Sequence, residues 1–313
     1  MQRSNCSVSV VPPIRSSGPI AVVCHDAGAS NLLLNWLSHW SESGQLNNSE
    51  IRLVVSGPAV HILNQLQSPI KNSIIFSQLD DALSGTDLLI SGTGWSSNIE
   101  HKARKIAELR GINSIAIVDH WVNYSGRFSR DGIELLPQEI WVSDEFAFDL
   151  AKNLFRNMNV TQLPNIYLMR LIERIHSFPI PKDSPSLLYL LEPARNDWGM
   201  GIQGEFQGLD FLAQNIHKVV KNDAFKFVLR PHPSESAEKY SEWISKNTHL
   251  NPVIDLSNSL EAAIAKSDWV VGLQTYAMVV AHQASKKTYS SLPPHAPKFV
   301  LPYSEIKQLR HIL

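Results

Sequence analysis

From Pro19 onward the chain repeats one unit: a short β-branched apolar run, a loop of small and polar residues, and a segment whose apolar side chains recur at helical spacing. In the first half the runs are Pro19–Asp26, Ile51–Gly57, Ser73–Ser77, Asp87–Gly92, Ser114–His120 and Glu139–Ser143. A strand that is apolar at nearly every position has no face to give to water. Such runs therefore belong to a parallel sheet with helices on both sides. The segments between them, NLLLNWLSHW, AVHILNQLQ, IEHKARKIAELR and DEFAFDLAKNLF, carry the helical period. Together they predict a doubly wound α/β domain.

The pattern is interrupted once. Behind the apolar and basic segment Ile166–Phe178 stands Pro179–Ser186, whose prolines deny both a helix and a central strand. The unit then resumes with the runs Ser186–Pro193, Ala224–Pro233, Val253–Ser257, Asp268–Leu273 and Lys287–Pro293, separated by helical segments. A chain of 313 residues exceeds what one hydrophobic core usually organises. The expected organisation is a loose lead-in over 1–18, a Rossmann-like doubly wound domain over 19–178 and a second over 186–313, two parallel-sheet domains facing a cleft. No fixed period recurs, which excludes a solenoid.

Lys and Arg number 28 and Asp and Glu 29, a net charge of −1, which excludes a protein built to coat nucleic acid. No long apolar stretch occurs, and Pro12 and Pro13 cut the one near the start, so neither a membrane span nor a secretory signal is expected. Of the two cysteines, Cys6 and Cys24, the second falls in a run read as a buried strand, so no disulfide framework is expected. The setting that follows is reducing and cytoplasmic, with any membrane contact peripheral and at the inner face. No His, Cys and acidic set has metal-site spacing, and neither a P-loop nor a dinucleotide fingerprint is present. No metal and no resident cofactor is expected.

In open parallel sheets ligands bind beyond the carboxyl ends of the strands, where loops and helix N-termini converge. The segment VLRPHPSES puts Arg230, His232 and Ser234 at such an end, a cation, an imidazole and backbone N–H groups that suit a phosphate. The plainer alternative is a strand ended by Pro231 and Pro233 and a helix capped by Ser234 or Ser236. In SDWVVGLQTYAMVVAH, Gln274 and Thr275 open a helix after a buried strand, either a second anion-holding terminus or an ordinary turn. Glu192 ends a neighbouring strand and joins this nucleotide-binding group.

The pairing of LRPHPSES with SDWVVGLQTYAMVVAHQASKKTYSSLPP resembles the donor-binding half of GT-B glycosyltransferases, particularly the sialyltransferase-like and Kdo-transferase-like enzymes of bacterial surface polysaccharide biosynthesis. The resemblance covers roughly the second half of the chain and implies the shared two-domain plan. It gives His232 and Thr275 the role of binding the nucleotide phosphates, with Gln274 contributing its backbone. It also implies a nucleotide-sugar co-substrate, a CMP-linked acidic sugar ahead of a UDP-linked one, and a glycan or lipid-linked glycan acceptor. The chain departs from the sialyltransferase pattern in its first domain: Asp80-Asp81 is followed by Ala82 rather than Gly, and Asp131-Gly132 lacks the first acid. The catalytic base does not carry over by motif.

Transfer to a hydroxyl needs a base within hydrogen-bond reach of the acceptor. His25, Asp26, Asp119 and His120 stand at strand ends, and an Asp that orients a His is a recurring device. The candidates are His25 paired with Asp119, or Asp26 acting directly, against an Asx-turn role for Asp26 and packing of His120 on Trp121. Trp121, Asn123 and Arg127, with Trp95, are candidate sugar or acceptor contacts. The four-glycine stretch Arg195–Gly208 reads as a mobile cover over the nucleotide. Three features receive structural readings: Glu100 with Ser97 as a capping box, HKARKIAELR as a solvated face or lipid-facing patch, and His61 and His282 as packing residues. The function expected is a metal-independent glycosyltransferase, with a nucleotide-sugar 2-epimerase of the same fold and a non-enzymatic two-lobed binding protein as alternatives.

Overall fold

The computed structural model describes Pro12, Ile14 and residues 16–46, 49–179, 185–221 and 224–312. Cys6, most of the lead-in and most of the expected linker lie outside the described residues. The chain forms two compact units, Met1–Tyr167 and Leu168–Leu313.

The first unit runs β1 (Ile20–Cys24), α1 (Ala27–Glu42), β2 (Ile51–Val55), α2 (Pro58–Asn64), β3 (Ser73–Ile75), α3 (Leu79–Ala82), β4 (Leu88–Ser91), α4 (Ile99–Arg110), β5 (Asn113–Ile117), the small hairpin β6 (Ser129–Arg130) and β7 (Ile133–Glu134), β8 (Glu139–Val142), α5 (Glu145–Leu154) and β9 (Asn159–Gln162), and ends in α6 (Ile166–Ser177). Its seven-stranded sheet has the order β3-β2-β1-β4-β5-β8-β9, parallel throughout. Strand order reverses between β1 and β4, and both strands are buried along their whole length, as continuous apolar runs require. The run at 73–77 departs from that expectation. It forms the edge strand β3, and Ser73, Ile74 and Ile75 are exposed because nothing pairs beyond them. The opposite edge, β9, is partly polar (NVTQ) and carries no apolar signal in the sequence.

Two cores flank this sheet. Ala21, Val23, Val54 and Leu89 pack with Ala103, Ala107 and Ile112 from and beside α4. Elsewhere the wholly buried Trp36 and Trp40 of α1 meet Trp141 of β8, with ring centroids 6.0 and 5.9 Å apart. Their indole N–H groups donate to the Pro164 and Pro12 carbonyls at 2.7 and 3.0 Å, so the polar ends of both rings are satisfied.

The second unit contains most of α6, then β10 (Ser186–Leu190), α7 (Gly204–Val219), β11 (Lys226–Arg230), α8 (Ser241–Lys246), β12 (Pro252–Ile254), α9 (Leu260–Ala265), β13 (Trp269–Gly272), α10 (Tyr276–Gln283), β14 (Lys287–Ser290) and β15 (Lys307–Gln308). The sheet order is β12-β11-β10-β13-β14-β15, again all parallel, with the reversal between β10 and β13. Leu187, Tyr189, Phe227, Leu229 and Val271 form its core with Leu209 and Leu212 of α7 and Trp243 of α8. Arg174 of α6 pairs with Glu261 of α9 at 2.8 Å. The architecture is thus α/β with two doubly wound parallel sheets, as the alternating pattern predicts.

Filling the α1 site with tryptophan should matter far more than surface apolarity. Trp36→Ala is expected to destabilise the first unit by about 3 to 5 kcal/mol in urea unfolding, and the exposed Leu109→Ala by less than about 0.5 kcal/mol.

Candidate functional site

At the carboxyl end of β1 the chain turns through His25 and Asp26 into α1. Asp26 is the N-cap by position, but its side chain makes no cap hydrogen bond. It reaches instead across the sheet reversal to the loop after β4, accepting the Trp95 N–H at 2.7 Å and the Ser96 N–H at 3.4 Å. Its other oxygen lies 2.6 Å from His25 Nδ1. Burial would raise the Asp26 carboxyl, but these hydrogen bonds and the His25 ring outweigh it and hold the group below the ordinary aspartate value. A carboxylate can only accept, so His25 Nδ1–H is the donor of this contact, and the neutral tautomer with that proton has its lone pair on Nε2. The pairing of His25 with Asp119 expected from the sequence does not occur. Asp119 instead accepts from Arg127 Nη1 at 2.7 Å.

Close approach is possible only because glycine lines the site. A Cβ on Gly57, whose φ is +56°, would lie 2.5 Å from His25 Nε2, and one on Gly94 would collide with the Asp26 carboxylate.

Glu100 corrects the sequence reading most. It closes no helix end: its side chain is 1% exposed, and its two oxygens accept the His25 N–H at 3.0 Å and the Gly94 N–H at 2.5 Å. Burial pushes its carboxyl above the ordinary glutamate value, against those two N–H groups and the Arg104 guanidinium, with the Asp26 charge adding to the rise. The helix that carries it is not a uniformly solvated face either. Arg104 is buried and donates to Ser91 Oγ and the Gly92 carbonyl at 3.1 and 2.8 Å, and His101 is buried beside it. The Ser97-x-x-Glu100 spacing of a capping box masks all of this locally. Only the distant partner His25 reveals the residue's position.

Among the proposed sugar contacts, Trp121 and Arg127 are buried and engaged internally. The Trp121 indole donates to both Asp144 oxygens at 3.0 and 3.1 Å, and Arg127 reaches Thr93 Oγ1 and the Val122 carbonyl besides Asp119. Asn123 and Trp95 are exposed, Trp95 at 49%, with the Arg130 guanidinium 5.7 Å over its ring. His120 packs on Trp121, and burial lowers its basicity against the pull of Asp119. His282 lies against Tyr303, as a packing residue should, whereas His61 is exposed on α2.

In the second unit the β10 end carries Glu192, which accepts the Gln274 N–H at 3.0 Å. Burial pushes the Glu192 carboxyl up to about 7 against that hydrogen bond. Thr275 is the N-cap of α10, and its hydroxyl makes no cap hydrogen bond. Beyond β11, His232 Nδ1 accepts the Ser234 N–H at 3.2 Å and lies 2.8 Å from the Ser234 hydroxyl. Burial lowers the His232 pKa, with Glu235 opposing and Arg195 assisting. The ring is therefore neutral at pH 7 with its proton on Nε2, a donor suited to an anion. Ser234 serves this ring rather than a helix cap, and Arg230 is committed to Asp255. The glycine-rich stretch after Glu192 is tied down by its own Asp197, which accepts the N–H groups of Gly199, Met200 and Gly201 at 2.8, 2.8 and 2.9 Å.

A groove of about 1010 Å³ lined by Lys218, Lys286, Lys287 and Trp269 lies at the amino ends of β13 and β14, away from these residues. Its lysines sit by the C-termini of α7, α9 and α10, where cations offset the helix dipole. Among the described residues no group of three His, Cys, Asp or Glu side chains could hold a metal ion. No described helix is long and apolar enough to cross a membrane.

No protein-family profile matches the chain, and no curated protein does. Solved structures do, and the three that follow match at 10 to 12% identity. A Listeria monocytogenes protein assigned as a UDP-N-acetylglucosamine 2-epimerase superposes with a TM-score of 0.58 at 10% identity, over 87% of this chain and 79% of its own. Staphylococcus aureus MnaA solved with UDP gives 0.55 at 12%, over 87% and 79%. Anabaena HepE in complex with UDP gives 0.53 at 10%, over 87% and 80%. The chain has a GT-B-like fold. In this chain the strand order reverses at β1/β4, where Asp26 meets Trp95, and at β10/β13, where Glu192 meets Gln274.

Because both Glu100 oxygens accept N–H groups, an amide there must turn its own NH₂ toward a backbone donor. Glu100→Gln is expected to cost about 1 to 3 kcal/mol in denaturant unfolding. Hydrogen exchange should speed up at the His25 and Gly94 amides first, and equal protection in the variant would remove Glu100 from this role.

Proposed function

We propose that the protein is a nucleotide-sugar-dependent glycosyltransferase in which His25 is the general base and His232 a hydrogen-bond donor to the leaving phosphate. The observation that carries this is the opposite preparation of the two imidazoles. Asp26 fixes the proton of His25 on Nδ1 and leaves Nε2 to accept, whereas Ser234 occupies Nδ1 of His232 and leaves Nε2–H to donate. Environments that set two titratable groups to opposite tasks are what acid–base chemistry at neutral pH needs.

In the transfer, the acceptor oxygen bonds to the anomeric carbon as the bond from that carbon to the phosphate oxygen breaks, the electron pair leaving with the phosphate. His25 Nε2 takes the acceptor proton, and the ionised Asp26 stabilises the imidazolium that forms. His232 Nε2–H, the Thr275 hydroxyl and the start of α10 stabilise the departing charge, a task that calls for no metal ion. Asp26 is then an orienting residue rather than the base itself. The exposed Trp95 ring offers a sugar face a stacking surface, with Asn123 as a further polar contact. The His-Pro motif favours a CMP-linked acidic sugar as donor, and the UDP-bound neighbours keep a UDP-linked sugar as the alternative. A surface glycan or lipid-linked glycan, met at the inner face of the membrane, is the proposed acceptor.

A nucleotide-sugar 2-epimerase is the second reading, favoured by the epimerase among the structural neighbours. Incubating the protein with nucleotide sugars and no acceptor separates the two, since an epimerase alters the sugar and a transferase waits for its acceptor.

His25→Ala and Asp26→Asn should each lower turnover about a hundred- to ten-thousand-fold at saturating substrates while nucleotide affinity, read by calorimetry, stays within about twofold. His232→Ala should instead weaken nucleotide binding by about 1 to 3 kcal/mol with the fold intact. Unchanged affinity in a folded His232→Ala protein would remove that residue from the phosphate site.

A further inference from the structure

Glu192 stands where the donor phosphate is proposed to bind, and it is itself an acid. Its Oε1 accepts the Gln274 N–H, immediately ahead of the N-cap Thr275 and the first turn of α10. That N–H and the positive end of the helix dipole are the groups that attract a phosphate. An ionised Glu192 therefore occupies the place of the ligand's own charge.

The surroundings do not neutralise it. Among the described residues no Lys, Arg or His side chain forms an ion pair with Glu192. Tyr189 on the same strand is spent on the Ser291 hydroxyl at 2.9 Å, and Arg230 at the end of β11 is held by Asp255. The β13–α10 loop brings Gln274 and Thr275, neither of which titrates. The Gln274 side-chain oxygen, buried and without a partner, adds a second bare acceptor. With its proton on, Glu192 still accepts the Gln274 N–H through one oxygen and offers an O–H donor from the other.

We propose that Glu192 gates the donor site by its proton: the neutral carboxylic acid admits the nucleotide-sugar phosphate and hydrogen-bonds it, and the carboxylate excludes it. The proposal rests on the nucleotide-sugar reading above. Burial is what makes the gate relevant, because it pushes this carboxyl up to about 7. Below that pH the acid form dominates and affinity is full. Above it, binding must take up a proton, and affinity falls by as much as tenfold for each further pH unit. Burial makes the His232 ring less basic, and any slope it adds is separated by the His232→Ala variant.

The test is calorimetric titration of the full chain with CMP-, UDP-, GDP- and dTDP-linked sugars, whose phosphate diesters keep a fixed charge from about pH 6 to 8.5. The expected result is a sugar nucleotide whose affinity falls tenfold or more across the upper part of that range. Glu192→Gln should stay flat across the range and bind more tightly than the unmodified protein at about pH 8.5. His232→Ala should bind more weakly throughout and keep the slope. Titration of the unmodified protein near pH 8 in two buffers of different ionisation enthalpy needs no variant and should show close to one proton taken up per ligand. Binding that ignores pH, no proton uptake, or a Glu192→Gln protein as pH-sensitive as the original overturns the gate and leaves the nucleotide-sugar reading intact. A failure of every sugar nucleotide to bind at any pH overturns both.

Discussion

Strands β1, β4, β10 and β13 are apolar and buried from end to end or nearly so, which leaves polar chemistry no place along the sheets. It is confined to the strand ends. At the amino ends of β13 and β14 the incoming helices present carbonyls, and lysines gather there. At the carboxyl ends the outgoing helices present N–H groups, and His25, Asp26, Asp119, Glu192 and His232 stand there. His25, Asp26, Glu192 and Thr275 owe their positions to that polarity, which follows from the parallel arrangement.

The carboxyl-end loops hold their shape through internal anions. Asp26 and Glu100 between them accept N–H groups from His25, Gly94, Trp95 and Ser96, joining the loops on the two sides of the strand-order reversal in the first unit. In the second unit Glu192 does the same by holding Gln274, whereas Asp197 closes its own loop through Gly199, Met200 and Gly201. Each of these carboxylates satisfies backbone donors that would otherwise need water or a ligand. The difference among them is burial. Asp26 gains enough hydrogen bonds to stay ionised, while Glu100 and Glu192 are pushed toward their neutral forms. A neutral and a charged carboxyl in similar loops have different uses, and the separation comes from desolvation rather than residue type.

The strand and helix pattern was legible because hydrophobic period is a property of neighbouring residues. The edge strand β3 shows where that stops. Ser73–Ile75 reads like the central strands, yet its exposure is decided by its being last in the sheet order. The same limit governs the site. Asp26 looks like a cap and Glu100 like half of a capping box, since Ser and acidic residues before a helix usually cap it. Both are diverted to backbone groups some seventy residues away. Trp121 and Arg127 look like ligand contacts until Asp144 and Asp119 are found to hold them inside.

The amino-acid sequence by itself determined two α/β halves and the placing of the His-Pro and Gln-Thr segments at strand ends of the second unit, because these depend on local period and on residue type at a turn. Tertiary structure alone decided which acid meets which histidine, which nitrogen of each imidazole carries the proton, and which carboxyls are forced toward neutrality. Those outcomes depend on strand order, which brings residues far apart in the chain to one sheet end, and on the low polarity there, which no local pattern encodes.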